Sequence, residues 1–212
     1  RINSDASVVR PILSSPKGLV LSQALYPGYS DISTYNMAAA SIDTAIRNVV
    51  STGADPKKIA LLDNFCWCSS LEPQRLDQLK NAARACYDYA TYYQAPFISG
   101  KDSMFNDFKG YDSQGQAVKI SVPPTLLVSA ISVIDNVESV LSLDAKFPGD
   151  LVYIVGETYR ELGGSEYFNS LSNDDLVHIG NSVPQVDAEK NKKIYRFFYE
   201  AVKRSLIASA QS

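Results

Sequence analysis

One short stretch of the 212-residue chain carries a dense set of groups that could bind an anion. Residues 99–103 read Ser-Gly-Lys-Asp-Ser, and the apolar pair Phe97-Ile98 precedes them directly after Pro96. Because proline ends a helix and favours an extended chain before it, we expect a strand that carries this cluster at its end. Backbone N–H groups and an ammonium suit phosphate oxygens, and a carboxylate suits a hard cation. A solvated turn is the alternative interpretation, since short motifs recur by chance.

A second acidic residue follows another apolar run. Residues 59–62, Ile-Ala-Leu-Leu, predict a buried central strand, and Asp63 and Asn64 come at its end. If this strand neighbours the strand at 97–98, Asp63 lies at the same sheet edge as the 99–103 cluster. Asp63 would then accept a hydrogen bond from a ribose hydroxyl or an adenine N–H group, or hold a metal, although a turn cap is the alternative. The predicted nucleotide-binding residues are Asp63, Gly100, Lys101 and Asp102, with Ser103 as a further hydroxyl donor.

Other chemistry-bearing residues give weaker signals. Two adjacent glycines make Gly163, Gly164 and Ser165 a candidate anion loop, with an ordinary loop as the alternative. His178, the only histidine, lies in a partly apolar context and is interpreted as structural. We therefore assign no catalytic residue and leave the metal ligands open.

The three cysteines predict reduced, buried thiols. Cys66 and Cys68 are separated by one residue, which is tighter than the usual metal-ligand spacing, and Cys86 leaves the number odd. A structural zinc site is therefore not expected. The sequence also lacks the Walker A and Gly-x-Gly-x-x-Gly fingerprints.

The composition limits the class of protein. With 45% hydrophobic residues, 20% charged residues and a net charge of −3, the chain is typical of a soluble globular protein. The slight acidity gives no general attraction for nucleic acid or anionic membranes, and no apolar run is long enough to span a bilayer. We expect a cytoplasmic location. The chain begins with Arg1 and ends on Ser212 without a helix cap, which suggests a fragment of a longer protein.

The elements that would position these groups alternate along the first 135 residues. Helices are predicted from Ser33 or Thr34 to Gly53 and from Glu72-Pro73 to about Tyr93. The strands are predicted at 6–10, 19–24, 59–62, 97–98, 118–122 and 125–134, with a hairpin loop over 111–116. In the strand at 118–122, apolar and polar residues alternate, which predicts that one face is buried. This order predicts an α/β sandwich with a mixed sheet, an α+β arrangement and not a plain doubly wound fold.

A second unit is predicted after this sandwich. The boundary falls at about 135–150, so the domains are predicted at 1–135 and 136–212. Residues 151–155 predict a buried strand, and a short helix is expected at 137–140. A long amphipathic helix should run from Asp187 to the end. Its apolar face, interpreted as core, comprises Ile194, Phe197, Phe198, Ala201, Val202 and Leu206.

Six short sequence motifs, in the order in which they occur, resemble those of a known protein family. They are Asp-Ile-Ser-Thr-Tyr at 31–35, Asp-Thr-Ala-Ile-Arg-Asn at 43–48, Gly-Ala-Asp-Pro at 53–56, Leu-Asp-Asn-Phe at 62–65, Ser-Gly-Lys-Asp-Ser-Met at 99–104 and Pro-Pro-Thr at 123–125. Their order resembles the phosphoribosylformylglycinamidine synthase family, also called formylglycinamide ribonucleotide amidotransferase. The resemblance covers nearly the whole chain and corresponds to the second of two related synthetase halves.

The resemblance implies a fold and an activity. The fold is that of aminoimidazole ribonucleotide synthetase, whose N-terminal α/β domain forms a shared β-barrel with a related copy; the C-terminal α/β domain would be truncated here. The implied activity is an ATP-dependent ligase of de novo purine biosynthesis that converts a formamide to an amidine with glutamine-derived ammonia. ATP and Mg²⁺ are the implied cofactors, and the partners are a phosphoribosyl substrate, the first synthetase half and a glutaminase.

The same resemblance gives expectations for single residues. Asp63 and Gly100 match nucleotide-contacting positions, and Ser103 matches a substrate-contacting one. Lys101 departs from the magnesium-binding Asn of the short family form, and Lys101-Asp102 resembles the long form, whose second nucleotide site is regarded as structural. An ammonium cannot ligate a cation, so a metal at position 101 is not supported.

The catalytic histidine of the family belongs to the first half. We therefore expect the isolated fragment to be inactive and to form a homodimer that mimics the parent's internal pairing. Two alternatives stay open. One is a non-catalytic scaffold half with a structural nucleotide, and the other is a relative of thiamine-phosphate kinase or selenophosphate synthetase.

Overall fold

The computed structural model describes residues 4–172 and 179–212, which form a mixed sheet with helices packed on one face. The strands are β1 (Ser7–Val9), β2 (Gly18–Ala24), β3 (Ile59–Cys66), β4 (Phe97–Ser103), β5 (Asp107–Tyr111), β6 (Ala117–Ser121) and β7 (Thr125–Ile134). The helices are α1 (Thr34–Ser51), α2 (Pro73–Tyr93), α3 (Glu166–Ser170) and α4 (Ala188–Lys203), with short 3₁₀ turns at Pro27–Asp31 and Val137–Ser139. The mixed α/β class predicted from the sequence is confirmed.

The main sheet has the order β1-β2-β7-β3-β4, and β5 and β6 form a separate two-stranded hairpin. All neighbouring pairs in the main sheet are antiparallel except β3 and β4, which are parallel. It follows that β2, β3 and β4 run in the same direction and that their carboxyl ends share one edge. Because α1 follows β2 and α2 follows β3, the amino ends of both long helices lie at this same edge.

Helix α1 packs closely against the sheet because its buried face is built from small residues. Ala38, Ala39 and Ala45 have no exposed surface, and Val128 and Ala130 of β7 are equally buried. The helix begins as predicted, with Ser33 as the N-cap whose hydroxyl accepts a hydrogen bond from the N–H of Asn36. The core therefore lies between this face of the sheet and the helix pair α1–α2.

The opposite face of the sheet carries a set of half-buried apolar side chains. They alternate along β2, β3 and β7 with the residues that face the helices, and Val133 at one end is 50% exposed. We call this surface the open face; it comprises Leu19, Leu21, Leu62, Leu127 and Ile131. An apolar sheet face that meets solvent suits contact with a further element or a second chain.

Helix α4 returns from the end of the chain to pack on α1 and α2. Asp43 of α1 is buried, and its carboxylate accepts hydrogen bonds from Tyr93 of α2, from Tyr195 of α4 at 2.8 Å and from Asn191 at 3.0 Å. Arg47 adds an ion pair at 3.3 Å. We call these five residues the Asp43 cluster. It joins three helices that are distant in sequence.

Several elements match their predicted bounds closely. Strand β7 spans 125–134 as predicted, α2 runs from Pro73 to Tyr93, and the hairpin turn falls between Tyr111 and Ala117. The short helix predicted near 137–140 is a 3₁₀ turn over Val137–Ser139. Among the described residues, the structure contains no helix with the length and apolar character needed to span a membrane.

Three predictions about burial are wrong. Residues 151–155 form no strand, and Val152 and Ile154 are 94% and 93% exposed. Strand β6 forms, but Ile120 on its expected buried face is 60% exposed. Helix α4 ends at Lys203, and the prediction of a core face is wrong for Phe197, which is 77% exposed, whereas Ile194 and Phe198 pack against the core as predicted. Each of these exposed apolar groups would need a neighbouring element that the described residues do not supply.

Candidate functional site

The central pair of the candidate site is Asp63 on β3 and Gly100 on β4. The two residues are register partners in the parallel pair, so their side-chain directions coincide. A Cβ built on Gly100 would overlap Oδ1 of Asp63 and lie 2.8 Å from its Cγ. The carboxylate therefore fills the space that the missing side chain leaves, and only glycine allows this approach. The sequence-based expectation that Asp63 and Gly100 meet is confirmed.

The setting of this pair differs from the prediction in one respect. Both β3 and β4 are longer than expected, and Asp63 and residues 99–103 lie inside strands instead of in loops beyond them. The apolar runs end at Leu62 and Ile98, but backbone pairing continues to Cys66 and Ser103. Polar residues can continue a strand where it lies at a sheet edge, and β4 is the edge strand here.

The charge of Asp63 is set by burial and by its neighbours. Burial raises the pKa of the Asp63 carboxyl, the backbone N–H of Lys101 donates a hydrogen bond that opposes this shift, and the nearby Asp102 charge adds to it. The same face carries the thiol of Cys86 from α2, whose pKa is raised to about 12 by burial and by the charge of Asp63. Asp63 is therefore a partly buried carboxyl group whose charged form is disfavoured by burial and by Asp102.

The side chain of Lys101 does not join this face. Because residues alternate along a strand, Lys101 and Ser103 point to the side opposite Gly100 and Asp102. Lys101 is paired in register with Asn64 and is exposed. The lysine ammonium and the Asp63 carboxylate therefore start from opposite sides of the sheet, and nucleotide binding by Lys101 stays a prediction. Lys101 contributes its backbone N–H to the Asp63 side and its ammonium to the open-face side.

Asp102 supplies a second carboxylate on the Asp63 side. It pairs in register with Phe65, two residues beyond Asp63, so the two acids are diagonal neighbours on one face. The described residues contain no cluster of three or more His, Cys, Asp or Glu side chains that could hold a metal. Two carboxylates still fit Mg²⁺, which usually takes one or two protein carboxylates together with phosphate oxygens and water.

Asp107 at the base of the β5–β6 hairpin is a residue that sequence reasoning assigned no role. Its carboxylate is 3% exposed, accepts hydrogen bonds from the Ser121 hydroxyl at 2.6 Å and the Ser69 N–H at 3.1 Å, and lies 3.8 Å from the Lys119 ammonium. The Ser121 hydrogen bond and the Lys119 charge hold the pKa of Asp107 below its ordinary value. Lys119 also pairs with Glu72, so the hairpin is fixed beside the start of α2.

The backbone N–H groups of the candidate anion loop already donate hydrogen bonds within the protein. The N–H of Gly163 donates to the Ser182 carbonyl and that of Gly164 to the Ile179 carbonyl, both at 2.7 Å, while the N–H of Ser165 donates to Leu162 at 3.2 Å. The Ser165 hydroxyl caps α3. Anion binding by Gly163, Gly164 and Ser165 stays a prediction, and it requires these hydrogen bonds to open.

The remaining predicted residues fall outside the site. The three cysteines are free thiols, but of the predicted burial only that of Cys68 is complete, since Cys66 and Cys86 are half-buried. The Cys86 thiol is the one described above near Asp63. His178, interpreted from the sequence as structural, lies outside the described residues.

Comparison with known protein families places this geometry in context. Residues 3–122 match the family described as AIR synthase related protein, N-terminal domain, which is more than half of the chain. The chain belongs to this family. The matched range contains β1 to β6 with α1 and α2, and hence the Asp63–Gly100 pair.

Individual relatives of this AIR synthase related chain are longer proteins. A phosphoribosylformylglycinamidine synthase subunit PurL from Methanocaldococcus jannaschii is 33% identical over 208 residues, which is 97% of this chain and 27% of that protein. The corresponding subunit from Nitratiruptor sp. is 28% identical over 98% of this chain and 26% of its own length. The chain thus spans about a quarter of the length of the curated relatives it matches.

Two solved structures support the fold over nearly all of the chain. T. maritima PurL complexed with FGAR superposes with a TM-score of 0.67 at 21% identity, covering 98% of this chain and 31% of that one. AaThiL complexed with AMPPCP and TMP gives a TM-score of 0.54 at 13% identity, over 95% and 56% of the two chains. At these identities the likeness establishes the fold alone.

Proposed function

We propose that this chain forms part of a phosphoribosylformylglycinamidine synthase, an ATP-dependent ligase of purine biosynthesis, and contributes one nucleotide-binding half-site to it. The observation that carries the proposal is the Asp63–Gly100 pair at the carboxyl edge of β3 and β4 in a chain 33% identical to a PurL subunit. Ligands of open α/β sheets bind at the carboxyl ends of the strands. The parent reaction converts formylglycinamide ribonucleotide to its amidine with glutamine-derived ammonia.

In this proposal the β3–β4 edge binds the nucleotide with its Mg²⁺. Asp63 and Asp102 hold the metal ion together with phosphate oxygens, and the metal ion supplies charge neutralisation when bound. Gly100 makes room for the Asp63 carboxylate beside the nucleotide, because a Cβ at position 100 would occupy that carboxylate's space. Ser103, whose hydroxyl forms no hydrogen bond to another described residue, contacts the phosphoribosyl substrate from the open-face side.

The chain supplies no catalytic residue in this proposal. The catalytic histidine is provided by the first synthetase half, and a glutaminase supplies ammonia, so these 212 residues alone are inactive. The identity of Lys101, whose ammonium cannot ligate a cation, favours one alternative, a scaffold half whose nucleotide only stabilises the assembly. The ThiL likeness, at 13% identity, keeps a phosphotransfer relative as a weaker alternative. We also propose that residues 1–135 form one domain and residues 136–212 the beginning of a second.

Titration of the chain with Mg-ATP tests the half-site. Nucleotide at 100 times its dissociation constant should raise the free energy of unfolding by about 2.7 kcal/mol, read from urea melts with and without ligand. Asp63→Ala should abolish this gain, whereas Lys101→Ala, which removes an ammonium on the other side of β4, should keep most of it. If millimolar nucleotide does not raise the free energy of unfolding of the wild type, the chain does not bind nucleotide on its own. If the free energy of unfolding of Asp63→Ala rises as much as that of the wild type, the nucleotide binds elsewhere.

A reconstitution experiment separates the ligase half from the scaffold half. The chain is mixed with a first synthetase half and the glutaminase as separate proteins, and ADP release is measured with formylglycinamide ribonucleotide and glutamine. We expect turnover in the mixture and none from the chain alone. Turnover that survives Asp63→Ala at the wild-type rate would favour the scaffold.

A further inference from the structure

The turn that follows β4 is held together by one residue, Asn106. Its side-chain amide donates a hydrogen bond to the Ser103 carbonyl at 2.8 Å and a longer one to Sγ of Cys66 at 3.5 Å. Its backbone N–H donates to the Trp67 carbonyl at 3.0 Å, and its own carbonyl accepts a hydrogen bond from the N–H of Val122 at 3.0 Å. Asn106 therefore joins the ends of β3 and β4 to the segment that leads into β7.

The Ser103 carbonyl is fixed from two directions. The backbone N–H of Trp67 donates to it at 2.8 Å, in addition to the Asn106 amide. Trp67 is itself immobilised, because it has no exposed surface and its indole N–H donates to the Arg75 carbonyl at 3.2 Å. A carbonyl oxygen has two lone pairs, and here both accept a hydrogen bond, so the peptide plane that follows Ser103 has one defined orientation.

The backbone of Phe105 shows that this turn is constrained. Its φ is +59°, a left-handed value that is rare for an aromatic residue and costs free energy. Such a conformation persists only where the surrounding contacts impose it. Met104 packs against the core on one side, and the hydrogen bonds of Asn106 fix the other. The Phe105 ring is 54% exposed, so its own burial offsets only part of the cost.

The Asn106 amide lies on the same side of the sheet as the Ser103 hydroxyl. Ser103 and Cys66 are register partners, so their side chains share one side, and the amide contacts the Cys66 sulfur there. A serine oxygen is placed by one rotatable bond, so the direction of the Cα–Cβ bond sets where it can reach. Among the described strands β4 is paired on one side only, so its last residue depends on contacts beyond the strand.

We infer that Asn106 is a positioning residue, which orients Ser103 toward the phosphoribosyl substrate. This inference rests on the proposed function, in which the Ser103 hydroxyl contacts that substrate. An amide suits the role because both atoms that it contacts, a carbonyl oxygen and a sulfur, are acceptors, and a carboxylate of the same shape has no N–H to donate.

A double-mutant cycle on substrate binding tests the role of Asn106. The affinity of the chain for formylglycinamide ribonucleotide is measured by calorimetry, well below the melting temperature of each variant. Ser103→Ala and Asn106→Ala should each raise the dissociation constant about three- to tenfold, as for one lost or misaligned hydrogen bond. In the Ser103→Ala background, Asn106→Ala should have almost no further effect. Gln114→Ala, which removes an exposed amide in the β5–β6 turn, is the control and should bind as wild type does.

Hydrogen exchange tests the structural step without substrate. Because the Trp67 N–H and the Asn106 amide share the Ser103 carbonyl, Asn106→Ala should make the Trp67 N–H exchange faster in NMR spectra, and Gln114→Ala should not. If wild type does not bind the substrate, the Ser103 contact of the proposed function is wrong, and the positioning role is wrong with it. If wild type binds but Asn106→Ala has wild-type affinity, or the losses in the cycle are additive, or Trp67 exchange is unchanged, the inference about Asn106 alone is overturned.

Discussion

The Asp63 carboxylate stands where a side chain of Gly100 would have to be, with Cγ only 2.8 Å from the Cβ that an alanine would add. The parallel pairing of β3 and β4 fixes this relationship through backbone hydrogen bonds on both sides of the pair. Asp63 and Gly100 are thus one structural unit, and a change at either residue alters the other.

Replacing Gly100 with alanine should therefore destabilise the fold and displace Asp63. We expect Gly100→Ala to lower the free energy of unfolding by about 1–3 kcal/mol, as for an overpacked site, in urea melts. In an Asp63→Ala background the same change should cost much less, because the clashing carboxylate is gone. Additive losses in the double variant would contradict the proposed steric unit.

The raised pKa of Asp63 predicts a pH-dependent contribution to stability. A carboxyl whose folded pKa lies above its unfolded value of 3.8 binds protons more readily in the folded state, so wild-type stability falls as pH rises through that window. Asp63→Asn has no carboxyl group at this position, so its free energy of unfolding does not fall with pH for this reason. Because water screens the partly exposed carboxylate, the gain over wild type at pH 7 should be no more than about 0.5–1 kcal/mol.

The measurement is a series of urea melts between pH 3 and pH 8. The advantage of Asp63→Asn should vanish at the acidic end, where the wild-type carboxyl is protonated in both states. Asp150→Asn, at an exposed turn, serves as the control and should show no such convergence. An advantage that is equal at all pH values would refute the electrostatic origin.

The thiol of Cys86 should resist alkylation in the folded protein. Its pKa is raised to about 12 by burial and by the Asp63 charge, so the thiolate is scarce at pH 8. Mass spectrometry after iodoacetamide treatment should find Cys86 unmodified in native protein and modified after unfolding in urea. Asp63→Asn should speed the native reaction, because it removes the repelling charge; rapid labelling of wild-type Cys86 would contradict this.

The Asp43 cluster should contribute measurably to stability. Tyr195→Phe removes a 2.8 Å hydrogen bond to a buried carboxylate and should cost about 1.5–3 kcal/mol in urea melts. Tyr199→Phe is a matched control on the same helix, since its hydroxyl forms no hydrogen bond to another described residue. Equal effects of the two changes would show that the cluster is not a stabilising contact.

Self-association through the open face is the fifth prediction. Ile131 lies on β7, in register between Leu21 of β2 and Ala60 of β3, near the middle of that face. We expect wild type to be dimeric by light scattering at tens of micromolar and Ile131→Lys to be monomeric, because a charge there opposes burial. Ser113→Lys adds the same charge in the exposed hairpin turn, so it is the control and should stay dimeric. A monomeric wild type would contradict the prediction.

Local patterns in the sequence predicted the first 135 residues well. Ser33 as a cap, Pro73 at the start of α2 and the apolar run of β7 each act within their own element, so their effect is readable without the rest of the fold. The meeting of Asp63 with Gly100 could also be predicted, because it needs only two neighbouring strands that end at one edge.

Features that depend on pairing between distant segments could not be predicted. Strands β3 and β4 extend past their apolar runs because each supplies backbone partners to the other, which places the Lys101 side chain on the opposite side of the sheet from Asp63. The apolar run at 151–155 predicted a buried strand. Burial also requires a neighbouring element to pack against, and the described residues supply none at 151–155. The role of Asp43 could not be predicted because three of its four partners, Tyr93, Asn191 and Tyr195, come from two other helices.

The Asp43 cluster has a consequence for synthesis on the ribosome. Tyr195 lies 152 residues after Asp43. The Asp43 carboxylate and the surface of α1 and α2 around it are therefore complete only after the last part of the described chain has been translated. At roughly 5–20 residues per second this delay lasts on the order of ten seconds. During that interval the Asp43 carboxylate on α1 lacks two of its four partners, Asn191 and Tyr195, until α4 emerges.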